Sequence, residues 1–90
     1  MDPKEILEKE GFPRVYEWTD PPNETFPKHS HKGKVSFFVI KGAFTMKYPD
    51  KEVVVKEGMR HDVPIGVPHL GYTGSEGAVS VVGEEFDEGD

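Results

Sequence analysis

Three histidines in this chain are spaced as metal ligands. His29 and His31 flank Ser30, and His69 closes the run Gly58-Met59-Arg60-His61-Asp62-Val63-Pro64-Ile65-Gly66-Val67-Pro68-His69. Residues two apart in an extended strand share a face, so a His-Ser-His triplet on a strand aims two imidazoles at one point. A third imidazole brought in from elsewhere completes a facial set of neutral nitrogen donors, which suits zinc, iron, nickel or copper. A His-x-His pair by itself is weak evidence, because lone histidines are usually incidental. Joined to a Pro-x-Gly-x-x-His at a suitable distance, it points to one divalent metal held by His29, His31 and His69. His61 lies two residues before Val63 and shares its face. It is a candidate fourth ligand, a group supporting a ligand, or a general base, and the competing reading, which we favour, is a histidine in the wall hydrogen-bonded to a backbone carbonyl.

The elements that must position these side chains are short strands. Asp2-Pro3-Lys4-Glu5 is a helix start, with an acidic N-cap, proline at the first helical position and the glutamate of a capping box; Gly11 ends that helix. From Phe12 onward the signals are β. A strand is expected over residues 15–19, stopped by Asp20-Pro21-Pro22-Asn23, and an extended segment over 24–31 that turns at Lys32-Gly33. Residues 35–40 form an apolar run ending at Gly42. Residues 43–48 and 52–56 read as a hairpin around Pro49-Asp50-Lys51, and 61–63 as a short strand before a stiff Pro64–Pro68 corner. Strands at 69–72 and 78–83, separated by Gly74-Ser75-Glu76-Gly77, complete the set. Gly/Pro punctuation at this spacing indicates an all-β sandwich or barrel.

Composition limits what such a barrel can be. Ninety residues give room for one domain with a small core. There is no cysteine, so disulfides, thiolate zinc sites and a cysteine nucleophile are excluded. The formal net charge is −6, and Glu84, Glu85, Asp87, Glu88 and Asp90 supply most of it from residues 84–90, which read as a solvated, flexible acidic tail. Lys28, Lys32 and Lys34 beside the histidines are too few for a nucleic-acid surface; they suit either solubility or attraction of a small anion. No signal-peptide pattern or membrane-length apolar run is present, so we expect a cytoplasmic protein without nucleic-acid or membrane partners. A chain this short with exposed sheet edges is expected to form a homodimer.

The motifs together resemble those of small single-domain cupins of the RmlC-like type. The first cupin motif carries His-x-His, then a glutamate, then a glycine, and His29-Ser30-His31 and Gly42 fit that spacing. The second carries a glycine, then Pro-x-Gly-x-x-His, and Gly58, Pro64, Gly66 and His69 fit at every position; 15 residues lie between the motifs. The glutamate position falls on Val35, or on Ser36 with longer spacing, while Asn23 and Thr73 replace a glycine and an asparagine. The resemblance spans about residues 14–83 and implies a double-stranded β-helix, or jelly-roll barrel, with a short N-terminal helix and residues 1–83 as one domain.

It also implies His29, His31 and His69 as the ligands of a three-histidine subset of cupins, among which iron-dependent dioxygenases are found. The metal is one divalent ion: iron, nickel, zinc, copper or manganese. With Val35 inward, Phe37 and Val39 join it as pocket lining, and His29 and His31 bring Thr25 and Pro27 inward with them. A metal without a carboxylate ligand keeps its full charge and favours an anionic, oxygen-chelating ligand. Two functions follow: a mononuclear metalloenzyme acting on a small anionic molecule, or a non-catalytic cupin that binds or senses a metal or ligand. Glu24 and Tyr72 are candidate polar groups at the rim, and Tyr16, Trp18, Phe44 and Met46 read as core or interface.

Overall fold

The N-terminal helix α1 (Pro3–Lys9) forms where its capping signals place it. Asp2 accepts a hydrogen bond from the Glu5 backbone N–H at 2.9 Å, and Glu5 accepts one from the Asp2 N–H at 3.3 Å. At the other end Phe12 N–H donates to Leu7 O and Gly11 N–H to Glu8 O, the paired bonds of a Schellman stop, with Gly11 at φ 94°. The helix buries Leu7 completely. The structure is a computed structural model and describes residues 1–85.

The rest is antiparallel sheet: β1 (Arg14–Asp20), β2 (Thr25–His29), β3 (Val35–Lys47), β4 (Glu52–Lys56), β5 (Arg60–Val63) and β6 (His69–Glu84). Two of these differ from the sequence expectation. Residues 35–48 and 69–83 each looked like two strands with a break, and each forms one long bent strand. The register slips between Val39 and Lys41 and again between Gly42 and Phe44, which bends the ladder without ending it. Gly42 makes that bend possible: its φ is 78°, and a Cβ there would run into the carbonyl of Gly77 on the facing strand. Gly77, at φ 69°, is closed off in the same way by the carbonyl of Asp20.

Bending divides the sheet into two walls. The first half of β3 pairs with β5 and with the second half of β6, which also pairs with β1. The second half of β3 pairs with β4 and with the first half of β6, which also pairs with β2. Folded over each other, the walls give the jelly-roll barrel, with Phe37, Val39, Met46, Tyr48, Val55 and Val63 as its packed core. The acidic run was expected to fray from residue 84, but Glu84 is the last residue of β6 and is 2% exposed. Glu85 follows it with its N–H donating to Lys34 O at 2.9 Å. Residues 86–90 of the expected tail lie outside the described residues.

Candidate metal centre

His29 ends β2 and pairs in register with His69, the first residue of β6, so sheet pairing itself puts two imidazoles side by side. His31 lies just beyond β2. Ring centroids are 4.8 Å apart for His29 and His31, 4.6 Å for His29 and His69, and 5.1 Å for His31 and His69. One nitrogen from each residue lies within 4.8 Å of the others, and no other group of three or more His, Cys, Asp or Glu does so among the described residues.

Two of these rings are oriented by the same local device. His29 Nδ1 is 2.8 Å from Pro27 O, and His69 Nδ1 is 3.0 Å from Val67 O. A carbonyl oxygen can only accept, so each Nδ1 carries the proton and each Nε2 keeps its lone pair. Anchoring one ring nitrogen on a backbone carbonyl, and so fixing the tautomer and ring direction, is the usual support of a metal-ligating imidazole. Transition metals sit about 2.0–2.1 Å from imidazole nitrogen, so rings this close need only small side-chain adjustments to share one ion. The donor set therefore fits a divalent transition metal.

A cavity of about 450 Å³ opens between the two walls beside the histidines. Phe26, His29, His69, Phe44 and Met46 line it from one wall, and Val35, Phe37, Val63 and Val82 from the other. Val35 thus occupies the inward position where the family carries its glutamate, and Ser36 points to the opposite face. Val39 lies deeper, fully buried in the core cluster. Thr25 and Pro27 were expected to follow the histidines inward, but both are exposed and Phe26 lines the cavity instead. The register shift between Phe26 and His29 explains this, because one slipped residue reverses which side faces in.

Other candidates are also relocated. His61 faces its register partner Phe37 with ring centroids 5.8 Å apart, and its Nε2 shares a 2.5 Å hydrogen bond with the Tyr48 hydroxyl. Burial pulls the His61 pKa below its ordinary value and pushes the Tyr48 phenol up to about 12, so both are neutral at pH 7. Tyr72 donates to Glu52 at 3.3 Å, and the Glu24 backbone is bonded to Thr73; neither side chain lines the cavity. Lys28, Lys32 and Lys34 are exposed and do not line it either.

Phe44 and Met46, read as core, do belong there: Met46 is in the buried core cluster and Phe44 packs against it, and both also reach the cavity. Tyr16 and Trp18, read as core or interface, line the cavity from β1 together with Arg14 and Asp20; aromatics in strands usually pack, which hides this role. The available signal was alternation: Arg14, Tyr16, Trp18 and Asp20 share one face of a strand.

The chain belongs to the cupin family: the family profile described as a cupin domain matches residues 16–82. Comparison with curated proteins finds no match. Among solved structures it is similar to a structural-genomics protein of unknown function from Rhizobium leguminosarum, at 14% identity and TM-score 0.72 over 78% of this chain and 66% of that one. It is similar to a cupin-2 domain protein from Shewanella frigidimarina, at 18% identity and TM-score 0.67 over 78% of this chain and 68% of that one. A third is the DMSP lyase DddQ from Ruegeria pomeroyi, at 19% identity and TM-score 0.72 over 84% of this chain and 39% of the lyase. The chain therefore spans about two thirds or less of the first and third of these proteins. At such identities the likeness concerns the fold.

Proposed function

We propose that this cupin holds one divalent transition metal on His29, His31 and His69 and takes a small, anionic ligand into the adjoining cavity. The observation that carries the reading is the convergence of one ligand nitrogen each from His29, His31 and His69 within 4.8 Å, with the rings of His29 and His69 each anchored through Nδ1 on a backbone carbonyl. Such an ion supplies Lewis acidity and, as iron or copper, one-electron chemistry. The chain's own part is to orient the rings from its backbone and to surround the ligand with Val35, Phe37, Phe44 and Val82, which exclude water. Three neutral donors add no negative charge to the metal, and this supports an anionic, oxygen-chelating partner.

Metal content per chain, measured by plasma mass spectrometry on untagged protein, tests the site. We expect near-stoichiometric metal in the wild type and its loss in the His29→Ala/His31→Ala double variant. No metal in either protein after anaerobic reconstitution would overturn the reading. Oxygen consumption by the iron-loaded protein with candidate substrates then separates a dioxygenase-like metalloenzyme from a cupin that binds or senses without turnover.

A homodimer and a cytoplasmic setting belong to the same proposal. Exposed Val54, Ile65 and Leu70 support the first by offering apolar surface to cover. Light scattering on the purified protein checks it. No helix among the described residues is long and apolar enough to cross a membrane.

A further inference from the structure

One carboxylate in the cavity has no cation to answer it among the described residues. Asp20 ends β1, lines the cavity and is 7% exposed. Its Oδ1 accepts from Trp18 Nε1 at 2.7 Å, and its Oδ2 has no hydrogen-bond partner among the described residues. The arginines and Lys47 pair elsewhere: Arg14 with Glu84, Lys47 with Glu52, and Arg60 with Glu10 and Asp62. Arg14 lines the same cavity but lies six residues back along β1, about 20 Å at the rise of a strand. Burial raises the Asp20 pKa, the Trp18 bond opposes this, and the negative charge of Glu24 raises it further. That is the condition of a buried charge lacking a counter-ion. Ser80 pairs in register with Trp18, lines the cavity and is 5% exposed. Its Oγ, too, has no hydrogen-bond partner among the described residues. Neither oxygen is sealed off by packing.

Two buried oxygens open to the cavity, one of them charged, call for a donor that carries positive charge. We propose that Asp20 and Ser80 receive the ammonium group of the cavity's small-molecule ligand, with the Trp18 indole beside it. Ser80 and Asp20 are diagonal neighbours across the β1–β6 pair, about 7–8 Å apart by backbone geometry, so one small group between them reaches both. A primary ammonium has three N–H donors and no acceptor, which suits a carboxylate oxygen and a hydroxyl. Trp18 contributes twice: its N–H fixes the carboxylate, and its ring attracts a cation better than any other aromatic side chain. One carboxylate and one hydroxyl are too few ligands for a metal ion. Asp20 and Ser80 are the binding residues. The inference rests on the cavity being a small-molecule site, as proposed above, and adds a cationic group to the anionic oxygens that a metal would take.

Trp18 is the sole tryptophan, lines the cavity and is 52% exposed, so its fluorescence reports filling of the site. The test titrates the protein at pH 7 with butylammonium and, separately, with butan-1-ol, which has nearly the same body and no charge. At that pH the amine is protonated and has no lone pair to offer a metal. We expect butylammonium to bind about tenfold or more tightly, the effect of one charge-assisted hydrogen bond. Asp20→Asn keeps an oxygen for Trp18 but removes the charge; it should bring the two affinities together while butanol binding persists. Ser80→Ala should narrow the gap partway. Should Asp20→Asn fail to fold by circular dichroism, Ser80→Ala, which leaves the Trp18–Asp20 bond intact, carries the test. Equal binding of the two probes to the wild type, or an undiminished preference in the folded variant, overturns the inference and leaves the cavity reading standing. No response to either probe sinks both.

Discussion

Two polar clusters lie on either side of β3, and neighbouring residues separate them. Val35 faces the cavity with the histidines, and Ser36 faces outward into a network with Asp62, Arg60 and Glu10. In that outer network Ser36 Oγ donates to Asp62 Oδ1 at 2.6 Å, and Arg60 Nε donates to Ser36 Oγ at 2.8 Å and Asp62 Oδ1 at 3.0 Å. The two terminal nitrogens of Arg60 donate to both oxygens of Glu10 at 2.6 Å each, linking the end of α1 to β5. Cation and carboxylates close on one another there. At the inner cluster, two imidazoles spend one nitrogen on their own backbone and converge with the other on a third imidazole. Three converging imidazole nitrogens suit a shared cation. A closed circuit is structure, and a convergent set of donors is a site.

Substitutions on the two sides of β3 should therefore have separable effects. The largest is expected from His69→Ala, which removes one of the three proposed ligands. Outer-shell changes alone cost about 10–100-fold in metal affinity, so loss of a ligand should cost about 100-fold or more in a calorimetric titration with zinc. The stabilisation that saturating metal gives, about 2.7 kcal/mol at one hundred times Kd, should vanish with it in a thermal melt. Ser36→Ala should do the reverse. It removes a buried hydroxyl that both donates and accepts, and should cost about 1–3 kcal/mol of stability while leaving zinc affinity unchanged. Were Ser36→Ala to weaken zinc binding as His69→Ala does, the two clusters would be one coupled system and the division across β3 would fail.

The same strand shows what the sequence made legible. The convergence of the three histidines could be read because His-x-His and Pro-x-Gly-x-x-His encode backbone geometry at short range, and the all-β barrel because turn residues punctuate apolar runs. Bends were harder to see. Gly42 and Gly77 looked like strand ends, yet they are the places where two long strands flex past one another, a relation set by residues 35 apart in the chain. The slip between Phe26 and His29 is equally invisible locally, and it moved Phe26 rather than Pro27 into the cavity. Glu84 sat in an acidic run that reads as solvent-exposed; only its pairing with Arg14 and Val35 reveals a buried carboxylate.

A smaller effect is expected at His61, which belongs to neither cluster. Its hydrogen bond with Tyr48 makes it part of the wall. His61→Asn should lower stability by about 1 kcal/mol through loss of that bond. Zinc affinity should change by less than about threefold, well below the effect of losing even a group that supports a ligand. A loss comparable to that of His69→Ala would instead make His61 a fourth ligand.

The smallest expected effect is the pH response of the outer network. The hydrogen bond from Ser36 is the main cause holding the Asp62 carboxyl below its ordinary value, with Arg60 adding to it, and Arg60 likewise lowers Glu10. A carboxylate whose folded pKa is depressed binds fewer protons folded than unfolded as the pH falls. Its stabilising contribution is therefore fully present above the unfolded value, 3.8 for Asp62, and is lost as pH drops through the lower folded value. Melting temperatures measured from pH 7 down to about 3 should consequently fall less steeply below pH 4 in Asp62→Asn than in the wild type. Solvent screens Asp62, so the difference should be a few degrees at most. An identical acid slope in the two proteins would mean that Asp62 is held by position alone and that the outer circuit is closed through Glu10 and Arg60 without it.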